Sequence, residues 1–467
     1  MIEWKDNSKH PLTVDIEKLL PFANRPISSL TDNKRESILV FPSSFQECKD
    51  SVGMQHLFDL LPEGKEFIVK TGNLAGFIGM NGLHIIIRSR FGEDGNEDFF
   101  LHYMLKKTLS INLFNLRHTT TNEQVFDFLL HLFPHYLNKA LAQGVYKEYI
   151  RHKYNDCHLK GAIDISRHVK CNMPFNGRIA YRTREFSHDN HLTQLIRHTI
   201  EYIRTRQTGE TLLHNHTDTQ DNVSRIVLAT PTYQKQDRPQ VIKNNLRPII
   251  HPYFNQYIPL QKLCLRILSH EQLKYGQGKN EIYGILFDVS WLWEEYLSTL
   301  LTPLGFKHSN NKQNTGGIWL GYSETNNKKN NAFLRYPDFY DSHSGSFVVD
   351  AKYKGQIDHI ADINQAIAYL YRLKGHTGMF IQPKIGANNE KSYSLRGYGA
   401  EDKACIIEYQ FHIPKGISRY DDFETEIRFS EIALKERIKI LQFYHKNSQT
   451  AKVRPICDSM HTPLSPR

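Results

Sequence analysis

The sequence predicts an α/β protein in which a mixed α+β N-terminal region precedes a C-terminal α/β domain. Three observations support this fold class: short apolar runs between turn residues fill the first 100 residues, helical repeats dominate residues 98–270, and strands alternate with helices after residue 280. We place the boundary near residue 270. The predicted parts are an N-terminal region of residues 1–270, a domain of residues 271–447, and a tail of residues 448–467 that we expect to be disordered.

The N-terminal region is predicted to begin with strands and to continue with helices. The strands are expected where β-branched and aromatic residues lie between turns, at residues 37–41, 66–70, 75–79 and 83–88. Helices are expected from Asp98 and from Glu123, and a stripe from Leu192 to Ile203 repeats with helical spacing. Because the region contains no recognisable catalytic motif, we interpret it as an adaptor that binds a partner.

Residues 145–185 form a basic segment in which cations are interleaved with tyrosine and phenylalanine. The cations are Lys147, Arg151, Lys153, Lys160, Arg167, Lys170, Arg178, Arg182 and Arg184. The segment fits three interpretations: it lies on DNA, it lies on an acidic partner, or its cations are solvated strand edges.

Two acidic motifs mark the C-terminal domain. Pro337-Asp338 follows a predicted strand at residues 332–336, and Asp350-Ala351-Lys352 ends a predicted strand at residues 346–350. We expect the two strands to form a hairpin whose acids meet at one end, with Asp350 and Lys352 on the same face. Two carboxylates and a lysine are what a metal-dependent nuclease of the PD-(D/E)xK type requires. The alternative is that Asp-x-Lys, a common pattern, is a solvated surface pair.

Two predicted helices flank these motifs. The upstream helix, residues 285–301, carries Glu294 and Glu295 in its most apolar turn, where a carboxylate is costly to bury without a partner. Of the two, Glu294 is the better candidate for an outer metal ligand; the alternative is that both point to solvent. The downstream helix carries Gln365 and Tyr369, which are four residues apart and share a face. We expect them to orient Lys352 or to touch the DNA backbone.

Together these residues resemble the McrC family, the nuclease subunit of McrBC-type 5-methylcytosine-specific restriction systems. The nuclease motif is common to many families, whereas upstream segments are more specific. The matching segments are residues 71–78, 159–168, 179–190, 293–296, 337–338 and 349–354, and the helix with Gln365 and Tyr369. The likeness extends over roughly residues 60–410.

The resemblance implies a restriction-endonuclease-like C-terminal domain that hydrolyses DNA phosphodiester bonds and works with a separate McrB-type AAA+ GTPase. The candidate catalytic residues are Asp338, Asp350, Lys352, Glu294 and Gln365, and the candidate metal ligands are Asp338, Asp350 and Glu294. The expected cofactor is Mg²⁺, with Mn²⁺ as a substitute, and GTP is expected only through the partner. The expected substrate is modified or foreign double-stranded DNA, as in anti-phage defence.

Composition agrees with this interpretation and excludes several classes of protein. The formal charge of +10 and the isoelectric point near 9.0 favour a polyanionic partner. Six scattered cysteines without Cys-x-x-Cys argue against a zinc knuckle and a disulfide scaffold. The sequence contains no P-loop motif, no signal-peptide pattern and no apolar run of about 20 residues, so we expect a cytoplasmic protein without a motor of its own.

Two alternatives to the restriction subunit are open at this stage. One is a self-contained PD-(D/E)xK nuclease of another DNA-processing system, such as a junction resolvase. The other is a non-catalytic adaptor that stimulates a motor ATPase or GTPase. The complete set of Asp338, Asp350 and Lys352 argues against the adaptor, and the long N-terminal region argues against a minimal resolvase.

Overall fold

A computed structural model describes most of the chain. The described residues are 2–12, 16–31, 37–42, 54–64, 66–80, 83–92, 98–109, 122–206, 209–214, 216–273, 283–309, 316–325, 328–342, 347–386, 389–397 and 404–448. The tail predicted to be disordered lies outside these residues, apart from Ser448. Contacts divide the chain into two units: unit 1 combines Met1–Asn122 with Lys279–Arg467, and unit 2 is Glu123–Gly278.

The N-terminal stretch of unit 1 contains mainly strands. Its elements are β1 (Ile2–Lys5), β2 (Lys9–Pro11), α1 (Ile16–Leu19), α2 (Ile27–Thr31), β3 (Ser37–Phe41), β4 (Phe58–Glu63), β5 (Glu66–Thr71), β6 (Leu74–Met80), β7 (Leu83–Arg88) and α3 (Phe99–Leu109). The four strands predicted from the sequence are confirmed as β3, β5, β6 and β7. β2, β5 and β4 form a small antiparallel sheet in that order.

Unit 2 is mainly helical and carries one small sheet. Its elements are α4 (Asn122–Leu141), β8 (Glu148–Asp156), β9 (Ala162–Ile163), α5 (Ile165–Asn172), β10 (Ile179–Ser187), α6 (His191–Arg204), α7 (Gly209–His214), α8 (Thr217–Ala229), α9 (Arg238–Asn244) and α10 (Tyr257–Leu273). The sheet order is β8-β10-β9. α6 begins at Asn190, whose side-chain oxygen accepts the Leu192 and Thr193 N–H groups, and the predicted stripe from Leu192 to Ile203 is buried.

The C-terminal stretch of unit 1 alternates strands and helices, as predicted, but the helix predicted at residues 285–301 begins only at Val289, because Tyr283–Asp288 form a strand and Asp288 caps the helix. Its elements are β11 (Tyr283–Asp288), α11 (Val289–Leu301), β12 (Phe306–His308), β13 (Ile318–Thr325), β14 (Lys328–Arg335), β15 (Phe339–Asp341), β16 (Phe347–Ala351), α12 (Ala361–Leu373), β17 (Thr377–Ile385), β18 (Asn389–Ser394), β19 (Cys405–Ile413) and α13 (Tyr420–Ser448). The fold is therefore mixed α/β.

A five-stranded sheet joins the two ends of unit 1. Its order is β1-β7-β6-β11-β3, and β11 runs parallel to β3 and antiparallel to β6. Leu286 on β11 shares a buried core with Trp4, Phe22 and Phe58 from the N-terminal stretch. The compact units therefore differ from the division at residue 270, because a strand from the C-terminal stretch completes the N-terminal sheet.

A six-stranded sheet carries the acidic motifs. Its order is β12-β15-β16-β17-β19-β18, and β16 runs parallel to β17, which runs parallel to β19. Val348 and Val349 on β16 are both buried, as expected for β-branched residues of an interior strand. Asp350 continues this buried strand, so its carboxylate is placed at the edge of the core.

The predicted hairpin between residues 332–336 and 346–350 is wrong. β14 pairs instead with β13, with Ile318 opposite Arg335, and only residues 326 and 327 separate the two strands. β16 pairs with the short strand β15, with Phe339 opposite Val349. β14 therefore pairs with the strand that precedes it in the chain.

Candidate active site

Asp338 and Asp350 lie together at the β15–β16 pair. Asp338 immediately precedes β15, and its carboxylate Oδ2 accepts the Ala351 N–H at 2.7 Å. The Asp338 carbonyl accepts the Ser309 N–H at 2.9 Å, which fixes the backbone on its other side. Asp350 is only 5% exposed. The two acids meet as expected, although the strand that brings Asp338 to this position is β15.

The site concentrates negative charge. Burial raises the pKa of Asp338 well above its usual range, and the nearby Asp350 and Glu294 carboxylates raise it further. The Lys352 ammonium and the Ala351 N–H act in the opposite direction and do not cancel the rise. Three carboxylates around one point therefore exceed the positive charge that the chain supplies there, so the site favours a cation or a proton.

Lys352 forms ion pairs on both sides of the site. Its ammonium contacts the Asp350 carboxylate and lies 3.2 Å from Oδ1 of Asp362. Burial lowers the pKa of Lys352, but Asp350, Asp338 and Asp362 outweigh that effect and raise the pKa overall. Lys352 is therefore positively charged at neutral pH.

Asp362 is a site residue that the sequence analysis missed. It lies in the first turn of α12, is buried, and binds both Lys352 and, at 2.5 Å, Lys354. Burial raises its pKa, but the two lysines and the Asp358 N–H reverse this and lower the pKa overall. In the sequence, Asp362 is an acid at a helix start ten residues after Lys352. Because acids at helix starts are common, this position alone does not indicate a site residue.

Gln365 and Tyr369 link Lys352 to the segment that carries Asp338. The Lys352 ammonium donates to Gln365 Oε1 at 3.5 Å, and Gln365 Nε2 donates to the Tyr369 hydroxyl at 2.8 Å. That hydroxyl donates to the Tyr336 carbonyl at 3.2 Å, two residues before Asp338. The two side chains share one face of α12, as predicted, and Gln365 contacts Lys352. The chain of hydrogen bonds fixes the lysine relative to the Asp338 segment.

Glu294, rather than Glu295, is the glutamate that adjoins the acids. Its carboxylate raises the pKa of Asp338, and its Oε1 lies 2.9 Å from Nε2 of His308. The His308 ring stacks on Phe339 at 4.7 Å between ring centroids. The sequence analysis missed His308, because its place beside Glu294 depends on β12 pairing with β15.

Residues of the N-terminal stretch support the segment that follows β16. Arg90 follows β7; its guanidinium donates to the Tyr353 carbonyl and lies 4.5 Å from the centre of the Tyr353 ring. Asp6 holds Arg90 in turn by accepting its backbone N–H at 2.6 Å. On the other side, the Lys352 N–H donates to the Ile381 carbonyl at 3.0 Å. The backbone around Lys352 is thus held from two sheets.

The donor set fits a hard divalent cation that keeps part of its water. Among the described residues, no three His, Cys, Asp or Glu side chains are arranged as a metal-binding group. Asp338 and Asp350 nevertheless supply two adjacent carboxylates, and Mg²⁺ is usually held by one or two carboxylates together with water and substrate phosphates. Burial is the main cause of the raised pKa of Asp338, and the Asp350 and Glu294 carboxylates beside it raise that pKa further. Glu294, which shares one oxygen with His308, suits an outer position.

Comparison with known families identifies the relationship. The family model described as "McrBC 5-methylcytosine restriction system component" matches residues 69–383. The chain belongs to this McrBC family. The matched residues include all of unit 2 and every candidate site residue of the McrBC-family chain. The resemblance to McrC expected from the sequence is confirmed at this level.

Two solved structures are similar to this McrBC-family chain. One is a half-complex from a tetradecameric assembly of Thermococcus gammatolerans McrB AAA+ hexamers with bound McrC; it has 14% identity, a TM-score of 0.43, and covers 93% of this chain and 99% of that chain. The other is a Thermococcus gammatolerans McrBC complex, with 13% identity, a TM-score of 0.30, and 64% and 87% coverage. No curated protein matches the chain. Among the described residues, no helix is long and apolar enough to cross a membrane.

Proposed function

We propose that this chain is the endonuclease subunit of a McrBC-like restriction system that defends against phage. It hydrolyses phosphodiester bonds of double-stranded DNA, modified or foreign, in a Mg²⁺-dependent reaction that Mn²⁺ also supports. The observation that carries the proposal is the arrangement of Asp338, Asp350 and Lys352, in which two adjacent carboxylates and one ion-paired lysine converge. Membership of the McrBC family supports it.

Asp338 and Asp350 would hold the metal, with Glu294 as an outer ligand. When bound, Mg²⁺ supplies Lewis-acid chemistry and activates water for attack on the phosphate. The Lys352 ammonium supplies a positive charge and hydrogen-bond donors where negative charge develops on the phosphate. Gln365 positions Lys352 by accepting one of its donors, and Tyr369 orients Gln365.

A separate McrB-type AAA+ GTPase drives the reaction, and GTP reaches the system only through that partner. Unit 2 fits the role of the partner-binding part, because it exposes apolar side chains around α5, and large exposed apolar patches mark interaction sites. The exposed residues of this apolar patch are Leu159, Ile163, Ile165, Val169, Met173 and Phe175. The candidate site lies in unit 1, so each unit has a distinct task.

The nuclease assignment is tested by removing a metal ligand. Asp350→Ala and Asp338→Ala should each abolish DNA cleavage measured with Mg²⁺ and the GTPase partner, because each removes one of few ligands. The matched control is Asp421→Ala, which removes an exposed carboxylate of the same unit and should leave cleavage intact. Full cleavage by Asp350→Ala would overturn the assignment of the site.

The partner assignment is tested on the apolar patch. Val169→Asp introduces a charge on the exposed face of α5 and should weaken capture of the GTPase and its stimulation, while Mn²⁺ binding by the chain stays unchanged. Leu228→Asp is the matched control, because Leu228 is exposed in unit 2 outside the patch. If both variants capture the GTPase like the wild type, the patch is not the partner surface.

A further inference from the structure

One face of the β8–β10 pair concentrates positive charge. Side chains two residues apart point to the same face of a strand, so Tyr149, Arg151 and Lys153 project together from β8. The register places Phe186 opposite Tyr149, Arg184 opposite Arg151, and Arg182 opposite Lys153. All six side chains are exposed. We call this set, with Lys147 beside it, the basic strip.

The strip contains two pairs of like charges directly opposite each other. Arg151 faces Arg184 and Lys153 faces Arg182, and like charges at directly opposed positions destabilise a sheet. Asp164 offsets part of the charge by its 3.0 Å ion pair with Arg182. The remaining repulsion is a cost to the free protein that a polyanion lying along the strip would relieve.

Two exposed rings end the strip. Tyr149 and Phe186 are 60% and 57% exposed, and their ring centroids lie 4.9 Å apart. The Arg184 guanidinium lies 4.4 Å from the Tyr149 ring centre, and the Lys147 ammonium lies 5.7 Å from that of Phe186. Cations beside exposed rings are the combination that nucleic-acid surfaces use, because the cations meet phosphates and the rings stack on bases or sugars.

We propose that the basic strip binds the sugar–phosphate backbone of a nucleic acid. The charge pattern favours a polyanion, and the exposed rings favour a nucleic acid over an acidic protein surface. The proposal rests on the proposed function in one respect, namely that DNA is the substrate. It adds a DNA contact in unit 2, whereas the candidate nuclease site lies in unit 1.

The experiment measures binding of the full-length chain to fluorescent duplex and single-stranded oligonucleotides by anisotropy, in EDTA, over a range of salt concentrations. Each lost phosphate contact lowers the slope of log Kd against log salt by about 0.9 for duplex and about 0.7 for single strands. The double variant Arg151→Gln/Arg184→Gln should therefore lower the duplex slope by about 1.8. If the variant and the wild type bind equally at 1 M salt, the variant should bind about 60-fold more weakly than the wild type at 0.1 M salt.

The matched control is Lys235→Gln/Lys243→Gln, which removes two exposed cations of unit 2 outside the strip and should leave the slope unchanged. Arg151→Lys/Arg184→Lys keeps the charge and should restore most binding. If bases stack on the Phe186 ring, Phe186→Ala should weaken single-strand binding about tenfold and duplex binding less. If they do not, the variant should weaken single-strand and duplex binding to the same small extent. Relief of repulsion should leave the Gln variant at least as heat-stable as the wild type.

An unchanged salt slope in the Gln variant would overturn the proposal. So would loss of GTPase binding with normal DNA binding, which would assign the strip to a protein partner. Asp350→Ala keeps the strip and should bind DNA like the wild type. DNA binding therefore tests the basic strip, and DNA cleavage separately tests the proposed nuclease function.

Discussion

Replacing Lys352 by methionine, in comparison with the same change at Lys354, tests whether the position of the Lys352 ammonium matters or only the positive charge of the segment. Methionine keeps most of the apolar stem and removes the ammonium that contacts Asp350 and Asp362. The matched control is Lys354→Met, which removes a cation two residues away. Lys354 contacts Asp362 at 2.5 Å, but its side chain is 44% exposed, whereas that of Lys352 is 16% exposed.

The two variants should differ in catalysis by orders of magnitude. Loss of a donor that stabilises charge in the transition state costs about 3–4 kcal/mol, so Lys352→Met should cut DNA roughly 10²–10³-fold more slowly. Lys354→Met should cut within about fivefold of the wild type, because the loss of an exposed ion pair changes a free energy by at most about 1 kcal/mol.

The variants should also differ in stability. Removing one partner of a buried ion pair costs about 3 kcal/mol of unfolding free energy, and Lys352→Met leaves Asp350 without its cation. Mn²⁺ should restore part of that loss, because a ligand of the native state stabilises it by mass action. Urea unfolding with and without Mn²⁺ measures the effect. Lys354→Met should lose less than about 1 kcal/mol of unfolding free energy. Mn²⁺ should stabilise this variant no more than it stabilises the wild type.

The assay is single-turnover cleavage of a methylated duplex with the GTPase partner, Mg²⁺ and GTP, at equal protein concentrations. Wild-type cleavage by Lys352→Met would contradict the role given to the lysine. Equal losses for Lys352→Met and Lys354→Met would indicate that the positive charge of the segment matters and the position of the ammonium does not.

Three further perturbations test the surroundings of the site. Glu294→Gln should slow cleavage more than Glu295→Gln, since Glu294 adjoins the acids; equal wild-type rates would mean that α11 only packs. Tyr369→Phe removes the hydroxyl that holds Gln365 and should give a partial loss in cleavage with normal Mn²⁺ affinity, whereas a changed Mn²⁺ affinity would contradict a role through the lysine. Burial raises the pKa of Asp6 from 3.8 to about 6, so the native state holds this proton more tightly and unfolding free energy falls as pH rises between about 4 and 6. In urea unfolding measured as a function of pH, Asp6→Asn should remove up to about 3 kcal/mol of that fall in unfolding free energy. A pH profile like that of the wild type would refute the raised pKa of Asp6.

Local patterns predicted most of the elements, and the site partly. Two acids separated by a short connector and a Val-Val strand were enough to bring Asp338 and Asp350 together, because the strand end fixes both. The hairpin partner of β16 was not predictable in the same way, since the three-residue strand β15 has too few residues to show a period.

The unpredicted part of the site comes from distant segments. Arg90 supports the carbonyl of Tyr353 from 263 positions away, and a single sequence holds no local signal of that contact. His308 reaches Glu294 only through strand pairing. The sequence shows Asp362 as an acid at a helix start, but its role depends on where the side chains of Lys352 and Lys354 lie.

The discontinuity of unit 1 affects how the protein is made. β6 ends at Met80 and its neighbour β11 begins at Tyr283, so the ribosome adds about 200 residues between them. At about 5–20 residues per second, the five-stranded sheet waits about 10–40 s for its last strand, while unit 2 emerges as a contiguous stretch able to fold first. During that interval the edge of β6 that later pairs with β11 is open to wrong pairing. Asp338, Asp350 and Lys352 are translated later still, so all of unit 2 has been synthesised before the candidate site is complete.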